Sequence, residues 1–171
     1  MAIHEEQSDH VDEIIVKWSK VKPDLDVSPI GIVGRICRLA MILVKTQTRV
    51  FERYNLDSAS FDVLATLYRN GPFNMLTPGH LARSMMITPG AVTQRLTHLE
   101  NRGLLVRTHN TDDRRIVTVQ LTDEGRLLLE AAFPDHLDSE RRILAQFNNA
   151  ELEGFSSLLR RMLVSMGDLP A

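Results

Sequence analysis

The chain has a single cysteine, Cys37, among 171 residues, so no disulfide can form within it and packing alone must hold the fold. A lone thiol fits a reducing compartment, and a cytoplasmic location is expected. No uninterrupted apolar run of about 18 residues occurs, so no membrane-spanning helix is expected. The first residues lack the basic, apolar, then small-residue order of a secretory leader. No repeat at solenoid spacing and no low-complexity tract is present. There is no nucleophile elbow, phosphate-cradling glycine loop or metalloprotease motif. The histidines His4, His10, His80, His98, His109 and His136 stand at no spacing typical of a zinc site. Asp112 and Asp113 are adjacent loop carboxylates without a defined cleft. These absences argue against an enzyme: no catalytic residue, cofactor or metal is expected.

Basic charge is also scarce. The formal net charge is −2, which on its face disfavours a polyanionic partner. Its distribution reverses that inference. Residues 1–13 carry Glu5, Glu6, Asp9, Asp12 and Glu13 with no Lys or Arg. Residues 77–121 carry Arg83, Arg95, Arg102, Arg107, Arg114 and Arg115 against Glu100, Asp112 and Asp113. A small surplus of this kind calls for two copies acting together and for binding that weakens with salt.

The same segment is the most structured part of the sequence. Two near-copies of a helix start lie eleven positions apart, Thr77-Pro78-Gly79 and Thr88-Pro89-Gly90. In each, Thr can cap orphan N–H groups and Pro can take the first helical position, where its missing donor costs nothing. The second helix stops at Gly103. At about 100° per residue, Val92, Leu96 and Leu99 share its core side. Gly90, Gln94, Thr97 and Asn101 point away, flanked by Ala91 and His98; Thr93 is counted with them. Amides, hydroxyls and small residues on one exposed face suit base edges in a major groove. Residues 104–108 then read as a strand, 109–115 as a polar loop, and 116–121 as a second strand with Val117, Val119 and Leu121 on one face. The loop tip, Asp113-Arg114-Arg115, suits phosphate contact or entry into a minor groove. Two short helices followed by a hairpin make a winged helix-turn-helix, and double-stranded DNA is the expected partner.

The rest of the chain reads as helix. Residues 8–20 place Val11, Ile14, Ile15 and Trp18 on one side. Residues 23–27 link this helix to a long one that starts at Ser28-Pro29, ends near 54, and carries Ile32, Ile36, Leu39 and Leu43 as a stripe. A third helix spans 58–69. After the wing, Thr122 caps a helix with Asp123 and Glu124 in its first turn, and Pro134 is expected to kink or break it. Leu152, Phe155, Leu158, Leu159, Met162, Leu163 and Met166 mark a last amphipathic helix. The fold class is mainly α with a small β-hairpin wing, organised as terminal helices at 8–54 and 122–171 around a winged helix-turn-helix at 55–121. The terminal helices hold more apolar side chains than a small winged domain buries, so a two-fold homodimer is expected.

Residues 76–83, 88–103 with their Leu-Glu-Asn-Arg-Gly end, the wing Asp113-Arg114-Arg115, and Leu121-Thr122-Asp123-Glu124-Gly125 resemble the MarR family of bacterial transcription regulators. The resemblance covers most of residues 35–166. It implies a dimer whose terminal helices interlock while two winged domains grip a pseudo-palindrome, with half-sites about 10 bp apart. Trp18, the Pro23-Asp24-Leu25-Asp26 stretch and residues 61–69 resemble the urate-responsive subgroup, which has an extra N-terminal helix. That likeness implies an effector site at Trp18, Asp62, Arg95 and Arg107, and a repressor released by urate or a related purine or aromatic acid.

The residues themselves allow a mechanism for that site. Arg95 lies about 70° from the core direction of its helix, sideways rather than outward, so it is placed to pair with Asp62 or to hold an anion. Asp62, amid Phe61, Val63, Leu64 and Ala65, needs a partner if buried, and Arg107 is a candidate. A planar anion on Arg95, stacked near Trp18, would repel Asp62 and shift an Asp62–Arg107 link. Two alternatives stay open. Cys37, near Arg35 and Arg38, is a candidate oxidant sensor, although its place on an apolar stripe suggests buried packing. A winged-helix module that binds protein instead of DNA is the other.

Overall fold

A computed structural model describes residues 8–70, 75–109 and 116–169. The chain divides into two units, residues 1–49 and 50–171. In the first, α1 (His10–Val21) begins at Asp9, whose carboxylate accepts from the Val11 and Asp12 N–H groups; the Asp12 side chain returns a bond to the Asp9 backbone N–H, closing a capping box. The following helix, α2 (Pro29–Glu52), starts at Pro29 after Asp26 has accepted from the Ser28 N–H. α1 packs along Gly31 and Gly34 of α2, where a Cβ would come into ordinary contact with Ile15 and Val11 at 3.4 Å. Arg35 then clamps the pair, donating to Asp9 at 2.7 Å and to Asp12 at 2.6 Å. Its guanidinium holds the Asp9 carboxyl down at about 2.

The second unit contains α3 (Ser58–Arg69), α4 (Pro78–Ser84), α5 (Pro89–Asn101), β1 (Leu105–His109), β2 (Val117–Leu121), α6 (Asp123–Leu144) and α7 (Asn149–Ser165). Thr77 and Thr88 cap α4 and α5 through their hydroxyls, each with Pro at the helix start, as their sequence predicts. Met86 turns between the two helices at φ 53. The strands pair antiparallel, with Arg107 opposite Val119. Leu76 adds a bridge to Val119, bonding it in both directions at 3.2 and 2.8 Å and tying the lead into α4 to the wing. Around Val119, which is fully buried, Leu64, Leu81, Leu96, Leu99, Leu105 and Leu129 form one core.

Two glycines fix how α5 hands over to the wing and to α6. Gly103, at φ +70, ends α5 in a conformation that L side chains resist. Gly125 faces the Leu104 backbone so closely that a Cβ would sit 1.9 Å from its carbonyl oxygen. Thr122 stitches the junction, donating its hydroxyl to the Gly103 carbonyl at 2.6 Å while accepting from the Gly125 N–H at 3.1 Å. The Leu-Thr-Asp-Glu-Gly motif is therefore a packing device.

Pro134 neither ends nor interrupts its helix: α6 is continuous from Asp123 to Leu144. Pro134 and Glu130, whose carbonyl loses its helical partner, are both exposed residues of α6. None of the α7 residues is buried, and Phe155, Leu158, Leu163, Val164 and Met166 are well exposed. Among the described residues no helix is long and apolar enough to cross a membrane.

Candidate nucleic-acid interface and effector site

The burial of α5 follows its helical wheel. Val92, Leu96 and Leu99 are at most 1% exposed, which fixes the helix rotation, and Gly90, Thr93, Gln94, Thr97, His98 and Asn101 are exposed on the other side. Ala91 is intermediate. The Thr93 hydroxyl donates to the Pro89 carbonyl at 3.0 Å, and the Thr97 hydroxyl accepts from the Arg107 guanidinium at 3.3 Å. His98 lines a cleft of about 340 Å³ with Glu52, Asn55, Leu56, Asp57 and Arg102. The wing-tip residues Asp113, Arg114 and Arg115 lie outside the described residues.

Arg107 departs from its expected partner. Its guanidinium Nε donates to Glu100 at 2.8 Å, a second guanidinium nitrogen pairs with the same carboxylate, and its backbone N–H donates to the other Glu100 oxygen at 3.2 Å. The Arg107 guanidinium draws the Glu100 carboxyl below its ordinary range. The expected Asp62–Arg107 link is thus replaced by a link between β1 and α5. The reason is chain geometry. Gly103 folds β1 back along α5, bringing residues on either side of the turn together. An acid three residues before that glycine and an arginine four after it were the sequence signal for Glu100, which sequence reasoning missed.

Asp62 is half-buried on α3, and among the described residues it accepts no hydrogen bond. Burial pushes its carboxyl up, while Arg69 and Arg95 pull it down in part. Arg95, itself half-buried, also acts on Asp57, the α3 N-cap, which accepts from the Ser60 N–H at 2.6 Å. The structure therefore brings Asp62 and Arg95 within electrostatic reach and turns Arg107 elsewhere. Trp18, on α1 of the first unit, is 47% exposed. Cys37 is exposed rather than buried, and of the two arginines expected near its thiol, Arg35 and Arg38, the first is committed to Asp9 and Asp12.

Comparisons with known proteins agree with this geometry. A family model described as the MarR family matches residues 56–117. The chain is 36% identical over 152 residues to the HTH-type transcriptional regulator PecS of Dickeya dadantii (strain 3937), covering 89% of this chain and 92% of that one. It resembles a crystal structure of the Staphylococcus aureus MepR–DNA complex with a TM-score of 0.73 at 22% identity, over 78% of this chain and 97% of that one, a likeness of fold. Bordetella bronchiseptica BpsR, whose DNA binding is regulated by 6-hydroxynicotinic acid, superposes with a TM-score of 0.69 at 27% identity, covering 77% and 91%. Its winged helices, its hairpin and its near full-length likeness to PecS place this chain in the MarR family of DNA-binding transcriptional regulators.

Proposed function

We propose that this chain is a homodimeric repressor that a planar anionic aromatic molecule, urate or a related purine or aromatic acid, releases from a pseudo-palindromic operator. The observation that carries the DNA reading is the exposed polar face of α5, opposite a fully buried apolar one. On this reading Gly90, Ala91, Thr93, Gln94, Thr97 and His98 meet the major groove, and Asp113, Arg114 and Arg115 serve the wing. Self-association is supported by apolar side chains exposed on α2 and α7, among them Val33, Ile42, Phe155, Leu158 and Leu163.

The effector reading rests on Asp62 and Arg95. A half-buried carboxylate without a hydrogen bond is costly, and an anion arriving at Arg95 changes the field it feels. Arg95 stands on α5 itself, so force on its guanidinium acts directly on the helix that carries the DNA face. The Glu100–Arg107 link passes any movement of α5 to β1. Trp18 and the effector role of Arg107 enter through the family resemblance. BpsR supplies a relative that answers to a planar heteroaromatic acid.

Fluorescence anisotropy with DNA from upstream of its own gene tests this at fixed salt. Urate is expected to weaken binding by about 5- to 150-fold, the range of ordinary allosteric coupling. Binding indifferent to urate would leave the DNA function and remove the effector. The exposure of Cys37 supports a second reading, an oxidant-sensing regulator. It predicts that peroxide releases DNA from the wild type and not from Cys37→Ser. Charge reversal at Arg114 and Arg115 separates both from a protein-binding module, because only DNA binding should then fall and its salt slope flatten.

A further inference from the structure

Two threonines on the α5 face differ in the one property a base edge can sense. A hydroxyl has one proton to donate and two lone pairs to accept with, and it rotates to suit its partner. Neither Thr93 nor Thr97 is free to do so. The Thr93 proton is given to the Pro89 carbonyl at 3.0 Å, one turn back on the same helix. Only lone pairs remain on its outer side. The Thr97 oxygen is already accepting from the Arg107 guanidinium at 3.3 Å. Among the described residues its own proton has no acceptor, so the proton is what it offers outward. A cation bonded to the oxygen polarises the O–H and strengthens it as a donor. Arg107 is held in this position by Glu100, through both side chains and its own backbone N–H.

Both side chains are exposed and sit one turn apart on the same ridge of α5, beside the wing. We propose that Arg107 presets the hydrogen-bond polarity of this ridge, making Thr97 a donor and Thr93 an acceptor, and that the two threonines thereby specify complementary base edges. This rests on the DNA-binding reading above. Thr97 then selects an acceptor in the major groove, the N7 of a purine, the O6 of guanine or the O4 of thymine. Thr93 selects an exocyclic amino group, the N6 of adenine or the N4 of cytosine. Arg107 acts as a positioning residue: it reaches the base through Thr97.

The test starts from duplexes enriched by the wild-type chain from a random pool. In the enriched site, single bases are replaced by analogues that delete one group. The 7-deazapurines remove N7, 4-deoxythymine and purine analogues lacking O6 remove the other acceptors, and purine or 2-pyrimidinone removes the amino group of adenine or cytosine. For the wild type, one position in each half-site should lose about 3- to 10-fold in affinity when its acceptor is deleted, as expected for a single hydrogen bond. A position beside it should lose a similar factor when its amino group is deleted. Thr97→Val should abolish the first sensitivity alone, and Thr93→Val the second alone. Arg107→Gln should blunt the acceptor sensitivity and spare the amino one, whatever it does to overall affinity. Circular dichroism checks that each variant is folded; the two exposed threonines should tolerate Val.

Interchanged sensitivities, with Thr97→Val erasing an amino preference, would overturn the proposal. So would an acceptor preference that Thr97→Val or Arg107→Gln leaves intact while the wild type binds normally. A wild-type chain that enriches no duplex would overturn the DNA-binding reading and this proposal with it.

Discussion

Arg107 of β1 holds Glu100 of α5 through its guanidinium and, at 3.2 Å, through its own backbone N–H. One residue of the hairpin therefore fixes one residue of the helix whose outer face is proposed to read DNA. With 27% of the Arg107 side chain and 34% of the Glu100 side chain exposed, water screens the pair only in part.

Arg107→Met and Glu100→Gln should each destabilise the fold by about 1 kcal/mol, and a double-mutant cycle should show coupling of about 0.5–1 kcal/mol. Both should weaken DNA binding by more than this stability loss explains, because the wing and α5 are no longer locked together. Chemical denaturation and anisotropy on the same samples measure the two effects.

Gly125 and Gly90 are opposites, one closed in by backbone and the other open to the surface. Gly125→Ala places a Cβ 1.9 Å from a backbone oxygen and should cost about 2–3 kcal/mol, lowering Tm by roughly 5–10 °C. Gly90→Ala meets nothing within 4 Å and should leave Tm unchanged or slightly raised. Because Gly90 lies on the exposed face, its effect should appear in DNA affinity.

Asp62 gives a pH prediction with a definite sign. Burial raises its folded pKa above the unfolded value, so the folded state binds the extra proton between the two. Its contribution to stability is fully present below the ordinary carboxylate pKa and is lost as pH rises through the raised one. Asp62→Asn should thus be more stable than wild type at pH 7, with the gain vanishing below about pH 3.8, where both states are protonated. The same variant should respond less to the effector, the usual exchange of function for stability. Thermal melts across pH check the first statement and anisotropy with urate the second.

The exposed face of α7 predicts the state of assembly. Leu158 is 61% and Leu163 51% exposed, so glutamate at either costs this chain little as a folded unit. The paired change should convert a dimer into monomers in analytical ultracentrifugation while retaining most helical signal. DNA affinity should then fall steeply, since each half-site would be held alone.

The elements that could be read from sequence are those whose causes are local. Thr77-Pro78 and Thr88-Pro89 cap their helices through atoms three residues away, and Gly103 stops α5 by its own backbone freedom. Periodicity oriented α5 because Val92, Leu96 and Leu99 leave one rotation possible. Relationships made by the tertiary fold were not legible. Leu76 bridges Val119 across more than forty residues, and Arg35 reaches back to Asp9 across a turn. Apolar neighbours of Asp62 call for a partner and make Arg107 a candidate, whereas the turn at Gly103 gives Arg107 Glu100. Cys37 was expected on a buried stripe of α2 because apolar periodicity marks a face without saying what covers it. Of the two outcomes expected at Pro134, a kink or a break, the break is excluded, since α6 runs on from Asp123 to Leu144.

The central claim is that the exposed face of α5 reads DNA in the major groove, and methylation interference tests it most directly. Dimethyl sulfate marks guanine N7 in the major groove and adenine N3 in the minor groove, so the pattern of blocked binding reports which groove is entered. Two clusters of guanine interference about 10 bp apart, one per half-site, are expected. Where the acceptor that Thr97 reads is a guanine N7, interference at that guanine should weaken in both half-sites of Thr97→Val. Interference confined to adenine N3, or duplex binding that no guanine methylation disturbs, would contradict the account.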